Sequence, residues 1–448
     1  MSDNSYLISA ATIKEPPTTF FQRLKFLGPG FILSASIVGS GELIATTTLG
    51  ASAGFTAFWI IIASCLIKVA VQVEFGKHTI LTGETAMQAL KLLPGTKSGK
   101  GKWSVVTILG LMSLKVFQIG GMMGGSALVL SMLFPSVATM IWVILVALLV
   151  ASIIFKGYYL PVEKASLVMT VLFTCLTIAC LIFLSETQYS ISMADIWSGL
   201  QFDLSPALVG VAIGAFGITG VASDEILAYT YWCREKGYAA YTGPRDGSDA
   251  WLRRAEGWIK VMYLDATVAM IIYTSVTAAF YLLGAAVLNH SGNVPEGLKM
   301  VETLATIYTE SLGPGFKTIF LVGAFFVLFS SVFATLAFWT RMYADIFGQL
   351  GWIDFFDMAA RKKTIAMLAW VFPTAWALAY FFVESPVLMI LSGGIVGSVL
   401  LLLVAFAAIH FKYKREQPIT SGMLYNITLW ISIVAIVAVA IYGLIKLL

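Results

Sequence analysis

The stretches Gly39-Ser40-Gly41-Glu42 and Gly217-Ile218-Thr219-Gly220 interrupt two long hydrophobic segments near their middles. In a bilayer every backbone N–H and C=O must be paired. A break in a membrane helix is therefore tolerated only where it lines a cavity or is buried in protein. A matching pair of broken segments, one in each half of the chain, is typical of the central site of a secondary transporter. The two stretches therefore predict a carrier, whose cargo has to be argued separately.

The composition supports a polytopic membrane protein. Of the 448 residues, 59% are hydrophobic and 12% charged, with a mean hydropathy of +0.88, whereas soluble domains are about 45–50% apolar and about 25% charged. A membrane span needs about 20 apolar residues. The hydrophobic segments predict an all-α protein with eleven spans, at 27–50, 55–80, 103–133, 137–155, 162–184, 206–232, 259–288, 316–345, 363–382, 385–411 and 424–447.

The basic residues predict the orientation, because short cytoplasmic loops carry an excess of Lys and Arg. With the N-terminus inside, almost all of the 28 Lys and Arg residues fall on inner segments. Only Lys299, Lys317 and Lys446 lie outside, and Lys68 and Lys115 lie within spans. We expect the N-terminus in the cytoplasm and the protein in the cell (inner or plasma) membrane. The net charge of +4 then reflects this orientation and does not indicate nucleic-acid binding.

The spans divide into two sets of five. Residues 1–26 are expected to form a mobile cytoplasmic tail, 27–184 a first five-helix repeat, 206–411 a second, and 424–447 an eleventh helix outside the repeat. Because each set has an odd number of spans, the two sets run in opposite directions. This is the condition for an inverted repeat.

The first break combines glycines with an acid. Gly39 and Gly41, on either side of Ser40, allow unusual backbone angles, and unwinding frees N–H groups and carbonyls for a substrate. Glu42 places a carboxylate beside them near the bilayer midplane, where acids pair, bind an ion or carry a proton. We expect this motif, including Glu42, to bind the substrate. The alternative is that the glycines pack helices while Glu42 pairs with Lys68 or Lys115.

The second break places Gly217, Ile218, Thr219 and Gly220 opposite the first as further substrate-binding residues. Two acids, Asp224 and Glu225, follow about one turn later. Adjacent side chains on a helix point about 100° apart. We therefore expect one acid to line the access path and the other to pair with a basic residue, Lys115 being the deepest one. The alternative is that both acids lie in an inner polar vestibule.

The residues do not indicate an enzyme or a bound cofactor. Cys65, Cys175, Cys180 and Cys233 lack the spacing of metal ligands. The three histidines are scattered along the chain, and no nucleophile–base arrangement or phosphate loop is present. The expected partners are the transported cation or small solute and the lipid bilayer, and a monomer is compatible with the sequence.

The run Gly28-Pro29-Gly30-Phe31 before the first break resembles the Nramp family of divalent metal-ion transporters. The resemblance covers nearly the whole chain and implies eleven spans with a LeuT-like 5+5 inverted repeat in which helices 1 and 6 are broken. The family's Asp-Pro-Gly-Asn motif falls here on residues 39–42, and its Met-Pro-His-Asn motif on residues 218–221. A family acid in helix 3 falls on Met122, and a glutamine in helix 10 on Gly393.

These departures remove the usual aspartate, asparagine and methionine ligands. Without the thioether the site loses its preference for softer metals, and Mg²⁺ is a cation that keeps several waters. The altered site is similar to that of the magnesium-transporting branch of the Nramp superfamily, so we expect a hard ion such as Mg²⁺ or Mn²⁺, with Glu42 as a metal ligand. The motifs leave proton coupling open.

A second resemblance leads to another cargo. Residues 37–41 and 216–220 resemble the helix 1 and helix 6 motifs of the amino acid–polyamine–organocation superfamily, which implies an amino-acid or other small organic-solute carrier. A receptor that binds a solute without moving it is a third hypothesis.

Overall fold

The computed structural model describes residues 6–39, 41–95, 102–156, 159–415 and 418–447. This described part contains helices and loops, and no strand. Its α-helices are α1 Phe20–Leu24, α2 Pro29–Ile37, α3 Thr47–Ala53, α4 Phe58–Thr82, α5 Ala86–Lys91, α6 Lys102–Leu114, α7 Val116–Leu133, α8 Thr139–Lys156, α9 Tyr159–Phe183, α10 Met193–Ser198, α11 Val209–Ile218, α12 Ser223–Lys236, α13 Tyr238–Thr242, α14 Asp249–Leu283, α15 Met300–Leu312, α16 Phe316–Leu350, α17 Met358–Val383, α18 Pro386–Lys414 and α19 Met423–Leu447.

The membrane-crossing helices follow the hydrophobic segments closely. Within the described ranges, nine helices are long and apolar enough to span a bilayer, or up to ten if the bent pair Pro29–Ile37 and Gly41–Ala53 is one span. The expected fifth span, 162–184, coincides with α9. An all-helical membrane fold is confirmed, whereas the total of eleven spans and the cytoplasmic N-terminus stay predictions.

Both interrupted segments are broken where the glycines stand. The first bends by 40° between α2 and a π-helical stretch, Gly41–Thr46, that leads into α3. The second leaves the helical path at residues 219–222, between α11 and α12. The two breaks lie next to one another, since α11 contacts the π-helical stretch Gly41–Thr46 and α12 contacts α2.

The start of α2 is capped by an acid from another helix. Asp265 of α14 accepts hydrogen bonds from the backbone N–H groups of Gly28, at 2.8 Å, and Gly30, at 2.6 Å. The Tyr229 hydroxyl donates to the same carboxylate, at 3.0 Å. A carboxylate is favoured at a helix N-terminus, where unpaired N–H groups carry partial positive charge. Asp265 therefore fixes the first half of the broken helix to α14.

The amino-terminal segment is packed against the helix bundle. Tyr6 is 7% exposed, and its hydroxyl donates to Glu235 at 3.0 Å. Further along, the Trp258 indole N–H donates to the carbonyl of Lys14 at 3.0 Å. This part of the predicted tail carries a buried aromatic ring and backbone groups that bond to α12 and α14.

A polar cluster ties the end of α4 to the end of α18. Glu84, just beyond α4, shares a hydrogen bond of 2.9 Å with the His78 ring and accepts one of 2.6 Å from the Arg415 guanidinium. Burial by itself raises the pKa of Glu84, but His78 and Arg415 outweigh it and hold that pKa below its ordinary value. The His78 ring also stacks on Phe411, with 4.2 Å between ring centroids.

Candidate functional site

Glu42 lies at the junction of the two breaks and is fully buried. Its Oε1 accepts hydrogen bonds from the Gly220 backbone N–H, at 3.2 Å, and from the Thr277 hydroxyl, at 3.1 Å. Its Oε2 has no hydrogen-bond partner among the described residues. An unsatisfied buried carboxylate oxygen is costly. Glu42 thus connects the first break to the second and keeps one oxygen available to a ligand.

The second break needs a glycine at position 220. Gly220 has a φ of +63°, in the left-handed region that side chains disfavour. This conformation turns its N–H toward Glu42. Beside it, the Thr219 hydroxyl is 3.0 Å from the Thr46 hydroxyl, so a second contact joins the two breaks. Both bonds are buried.

The carbonyls at the end of α11 face α4. Lys68 donates from Nζ to the Phe216 carbonyl at 2.7 Å and to the Thr219 carbonyl at 2.5 Å. The Ser64 hydroxyl is within 3.1 and 3.0 Å of the same two oxygens. Groups of the protein therefore occupy both sides of the break between α11 and α12. The Glu42 carboxylate bonds to its N–H side, and the Lys68 ammonium bonds to its carbonyl side.

A cavity of about 40 Å³ lies directly beside the breaks. It is bounded by α2, α7, α12 and α16 together with Gly41 and Ile218, and its polar lining residues are Ser36, Gln118, Asp224, Glu225, Ser331 and Thr335. A buried water needs about 10–15 Å³ of such space, so the cavity has room for about three waters. The cavity runs along α2, the first half of the first broken span, and along α12, the second half of the second broken span.

Both acids of α12 border this cavity, and each has a different partner. Asp224 forms an ion pair with Lys115, with 2.5 Å between Oδ1 and Nζ. Glu225 accepts a hydrogen bond from the Ala222 N–H at 2.8 Å and one from the Ser36 hydroxyl at 3.3 Å. One acid pairs with Lys115, as expected, but both acids and not one border the cavity. Because the cavity borders the first turn of α12, two side chains about 100° apart both reach it.

The predicted substrate-binding residues separate into three groups. Gly41 and Ile218 line the cavity, whereas Glu42, Thr219 and Gly220 lie next to it without lining it. Gly39 and Gly217 are in close helix contacts: a Cβ on Gly39 would overlap the Ser331 hydroxyl, and one on Gly217 would overlap the Gly394 carbonyl. Ser40 lies outside the described residues. Lys115 does not line the cavity, but it forms an ion pair with Asp224, which does.

Two polar residues near the breaks have surroundings that the sequence does not indicate. Lys68 is visible in the sequence as a charge within an apolar span, but nothing there points to the carbonyls that it caps. Gln118 borders the cavity, and its Oε1 has no hydrogen-bond partner in the described part of the chain. Gly393 provides the space, because a Cβ there would overlap the Gln118 side chain. The family resemblance places a glutamine at position 393, and here the amide side chain of Gln118, from α7, lies next to that position.

The sequence profile of the family described as "Natural resistance-associated macrophage protein-like", or Nramp, matches residues 30–446. The chain belongs to the Nramp family. A Mesorhizobium japonicum relative named divalent metal cation transporter MntH is 24% identical over 73% of this chain and 69% of its own. The family consists of membrane transporters, so this Nramp protein is an integral membrane transporter and not an enzyme.

Solved structures support the same fold for this Nramp protein. The Eremococcus coleocola manganese transporter, solved with an aromatic bis-isothiourea substituted compound, matches with a TM-score of 0.59 at 14% identity, over 98% of this chain and 99% of its own. MHP1, a nucleobase-cation-symport-1 family transporter with bound bromovinylhydantoin, matches with a TM-score of 0.58 at 14% identity, over 96% and 92%. The LeuT-like fold expected from the sequence is therefore confirmed.

The described residues of this Nramp protein contain no group of three or more His, Cys, Asp and Glu side chains that could hold a metal ion. The oxygens available around the breaks are Glu42 Oε2, Gln118 Oε1 and the two acids of α12. Such a set is made of hard oxygen donors.

Proposed function

We propose that the protein carries a divalent metal cation across the membrane by alternating access, with a hard ion such as Mg²⁺ or Mn²⁺ favoured over softer ones. The observation that carries the proposal is the free Oε2 of Glu42, buried where the two broken helices meet. Intramembrane acids without a partner mark ion pathways. Membership of the Nramp family and the similarity to a protein named divalent metal cation transporter support it.

The preference for a hard ion follows from the available ligands. Mg²⁺ keeps several of its waters and is held by one or two carboxylates. Glu42 can supply one carboxylate, while Gln118 and Glu225 border space for about three waters. The position of the family's soft thioether ligand is occupied by Ile218. Met122 is a thioether that does line the cavity, so uptake of a soft ion would assign it the role of a ligand.

The organic-solute alternative is less compatible with the contacts at the break between α11 and α12. A zwitterion would need free N–H groups for its carboxylate and free carbonyls for its ammonium. Here the Gly220 N–H is bonded to Glu42, and the Phe216 and Thr219 carbonyls are bonded to Lys68. The cavity of about 40 Å³ is also far smaller than the roughly 300–1,000 Å³ of small-molecule sites.

The test is an uptake panel in vesicles reconstituted with the purified full-length protein. Mg²⁺, Mn²⁺, Ca²⁺, Cd²⁺ and a labelled amino-acid mixture are compared with protein-free vesicles. We expect Mg²⁺ or Mn²⁺ to accumulate faster than Cd²⁺, and amino acids to stay at background. Amino-acid uptake without divalent-ion uptake would replace the proposal with the organic-solute carrier. Binding of an ion without any counterflow would identify a receptor instead.

A further inference from the structure

The end of α11 carries concentrated negative partial charge. The last carbonyls of a helix have no partner within the helix and attract cations. At this end the Phe216 and Thr219 carbonyls lie beyond the regular hydrogen bonds of α11 and point toward α4. Two such oxygens with a nearby hydroxyl form the type of oxygen set that can replace the hydration shell of a small cation.

The ammonium of Lys68 occupies this place. Lys68 is fully buried and donates to both carbonyls, and its Nζ also lies 5.0 Å from the centroid of the Phe216 ring. Ser64, one turn earlier on the same face of α4, contacts the same two oxygens. Lys68 forms no ion pair within the described ranges. Its charge is therefore balanced by helix carbonyls and not by direct contact with a carboxylate.

We propose that the break between α11 and α12 creates a monovalent-cation site on the Phe216 and Thr219 carbonyls. The Lys68 ammonium is the permanent, covalently attached occupant of this site. The attached cation joins α11 to α4 without a dissolved ion. It also removes these two carbonyls from the ligands available to the cargo, whose oxygens then come from the opposite side of the break. This inference goes beyond the proposed function and would hold whichever solute is carried.

The experiment removes the attached cation and supplies a dissolved one. Purified full-length Lys68→Ala protein is melted in detergent at constant ionic strength, with N-methylglucamine replaced stepwise by Na⁺, K⁺, ammonium or methylammonium. A ligand that binds only the folded state raises the melting temperature. We expect the variant to melt several degrees below the wild type and to recover most of that loss with at least one small cation at about 100 mM.

The controls keep the attached charge in place. Wild-type protein and Lys68→Arg should show no response to exchange of these cations. Ser64→Ala retains Lys68 and should also show none, although its melting temperature falls slightly. Where Lys68→Ala yields no folded protein, Lys68→Gln, whose amide can donate to one carbonyl, takes its place with the same expected dependence.

The inference is overturned if neither Lys68→Ala nor Lys68→Gln is stabilised by any of the four cations relative to N-methylglucamine. It is also overturned if the wild type and Lys68→Arg respond as strongly as the variants. Because the readout is the stability of the purified protein, either result leaves the uptake panel unaffected.

Discussion

At the residue scale, three buried charges around the breaks are satisfied in three different ways. Glu42 accepts from a backbone N–H and a hydroxyl, Lys68 donates to backbone carbonyls, and Lys115 pairs with Asp224. Each arrangement offsets the cost of holding a charge in a medium of low dielectric constant. Of these three side chains, Glu42 alone keeps a polar atom, Oε2, with no hydrogen-bond partner in the described part of the chain.

The ion pair of Lys115 and Asp224 should behave as a unit. Its side chains are 0% and 10% exposed, so the loss of one partner leaves a charge that water reaches poorly. We expect Lys115→Met alone to lower the free energy of unfolding by about 3–5 kcal/mol, and Lys115→Met with Asp224→Leu to lower it by less. Denaturation of the purified proteins in detergent measures both.

The exposed Lys317 provides the matched control for the Lys115 and Asp224 variants. Lys317→Met should change the free energy of unfolding by no more than about 0.5 kcal/mol. Strictly additive losses from Lys115→Met and Asp224→Leu would show that the two residues do not depend on each other, in conflict with the observed pair.

At the element scale, α11 and α18 approach each other through glycines. Gly214 and Gly217 of α11 face Gly394 and Gly397 of α18 with backbone in contact with backbone. Small residues permit such close packing of membrane helices. Gly217, which the sequence predicts to bind substrate, lets α18 pack closely against the end of α11.

A methyl group at position 217 should therefore be costly, whereas one at 210 should not. A Cβ at 217 would overlap the Gly394 carbonyl and lie 2.7 Å from the Ser398 hydroxyl, while no atom lies within 4 Å of a Cβ at 210. We expect Gly217→Ala to destabilise by about 1–3 kcal/mol, and Gly210→Ala to be neutral or to stabilise by up to about 1 kcal/mol. Melting curves of the two variants in detergent test this, and equal stabilities would contradict the packing role.

The sequence predicts the positions of the broken helices well, because a glycine-rich polar run inside a long apolar segment is unfavourable in a regular membrane helix. It does not predict partners. Lys68 lies 148 residues from Phe216 and 151 from Thr219, and no local pattern joins them. The same holds for Gln118 and Gly393, where a missing side chain on one helix provides space for a side chain from another. Helix geometry alone predicts that Asp224 and Glu225 point in different directions, but it does not predict that the cavity is wide enough for both acids to border it.

At the scale of the whole molecule, the cavity and the polar contacts beyond it lie along the same two helices. Trp232 of α12 and Phe338 of α16 line the cavity. One turn further along, Arg341 donates to Glu235 at 2.6 Å, and the Tyr6 hydroxyl donates to the same carboxylate. If the N-terminus is cytoplasmic, these contacts join the two cavity walls at the cytoplasmic end of the protein.

This orientation can be tested with two introduced cysteines. Glu296 and Asp354 are both exposed acids in loops, predicted to face outside and inside respectively. Three of the four native cysteines are buried, and Cys175 lies in α9. We expect a membrane-impermeant maleimide to label Glu296→Cys on intact cells, and to label Asp354→Cys only after the membrane is opened. The reverse pattern would invert the orientation.

The most direct test of the central claim, that Glu42 receives the transported ion where the two broken helices meet, is the initial rate of Mg²⁺ or Mn²⁺ uptake into vesicles containing Glu42→Gln. The matched control is Glu302→Gln, which makes the same change at an exposed acid of α15. With both variants shown to be folded by their melting curves, we predict uptake at the background of protein-free vesicles for Glu42→Gln and the wild-type rate for Glu302→Gln. An unchanged rate in Glu42→Gln would contradict the account.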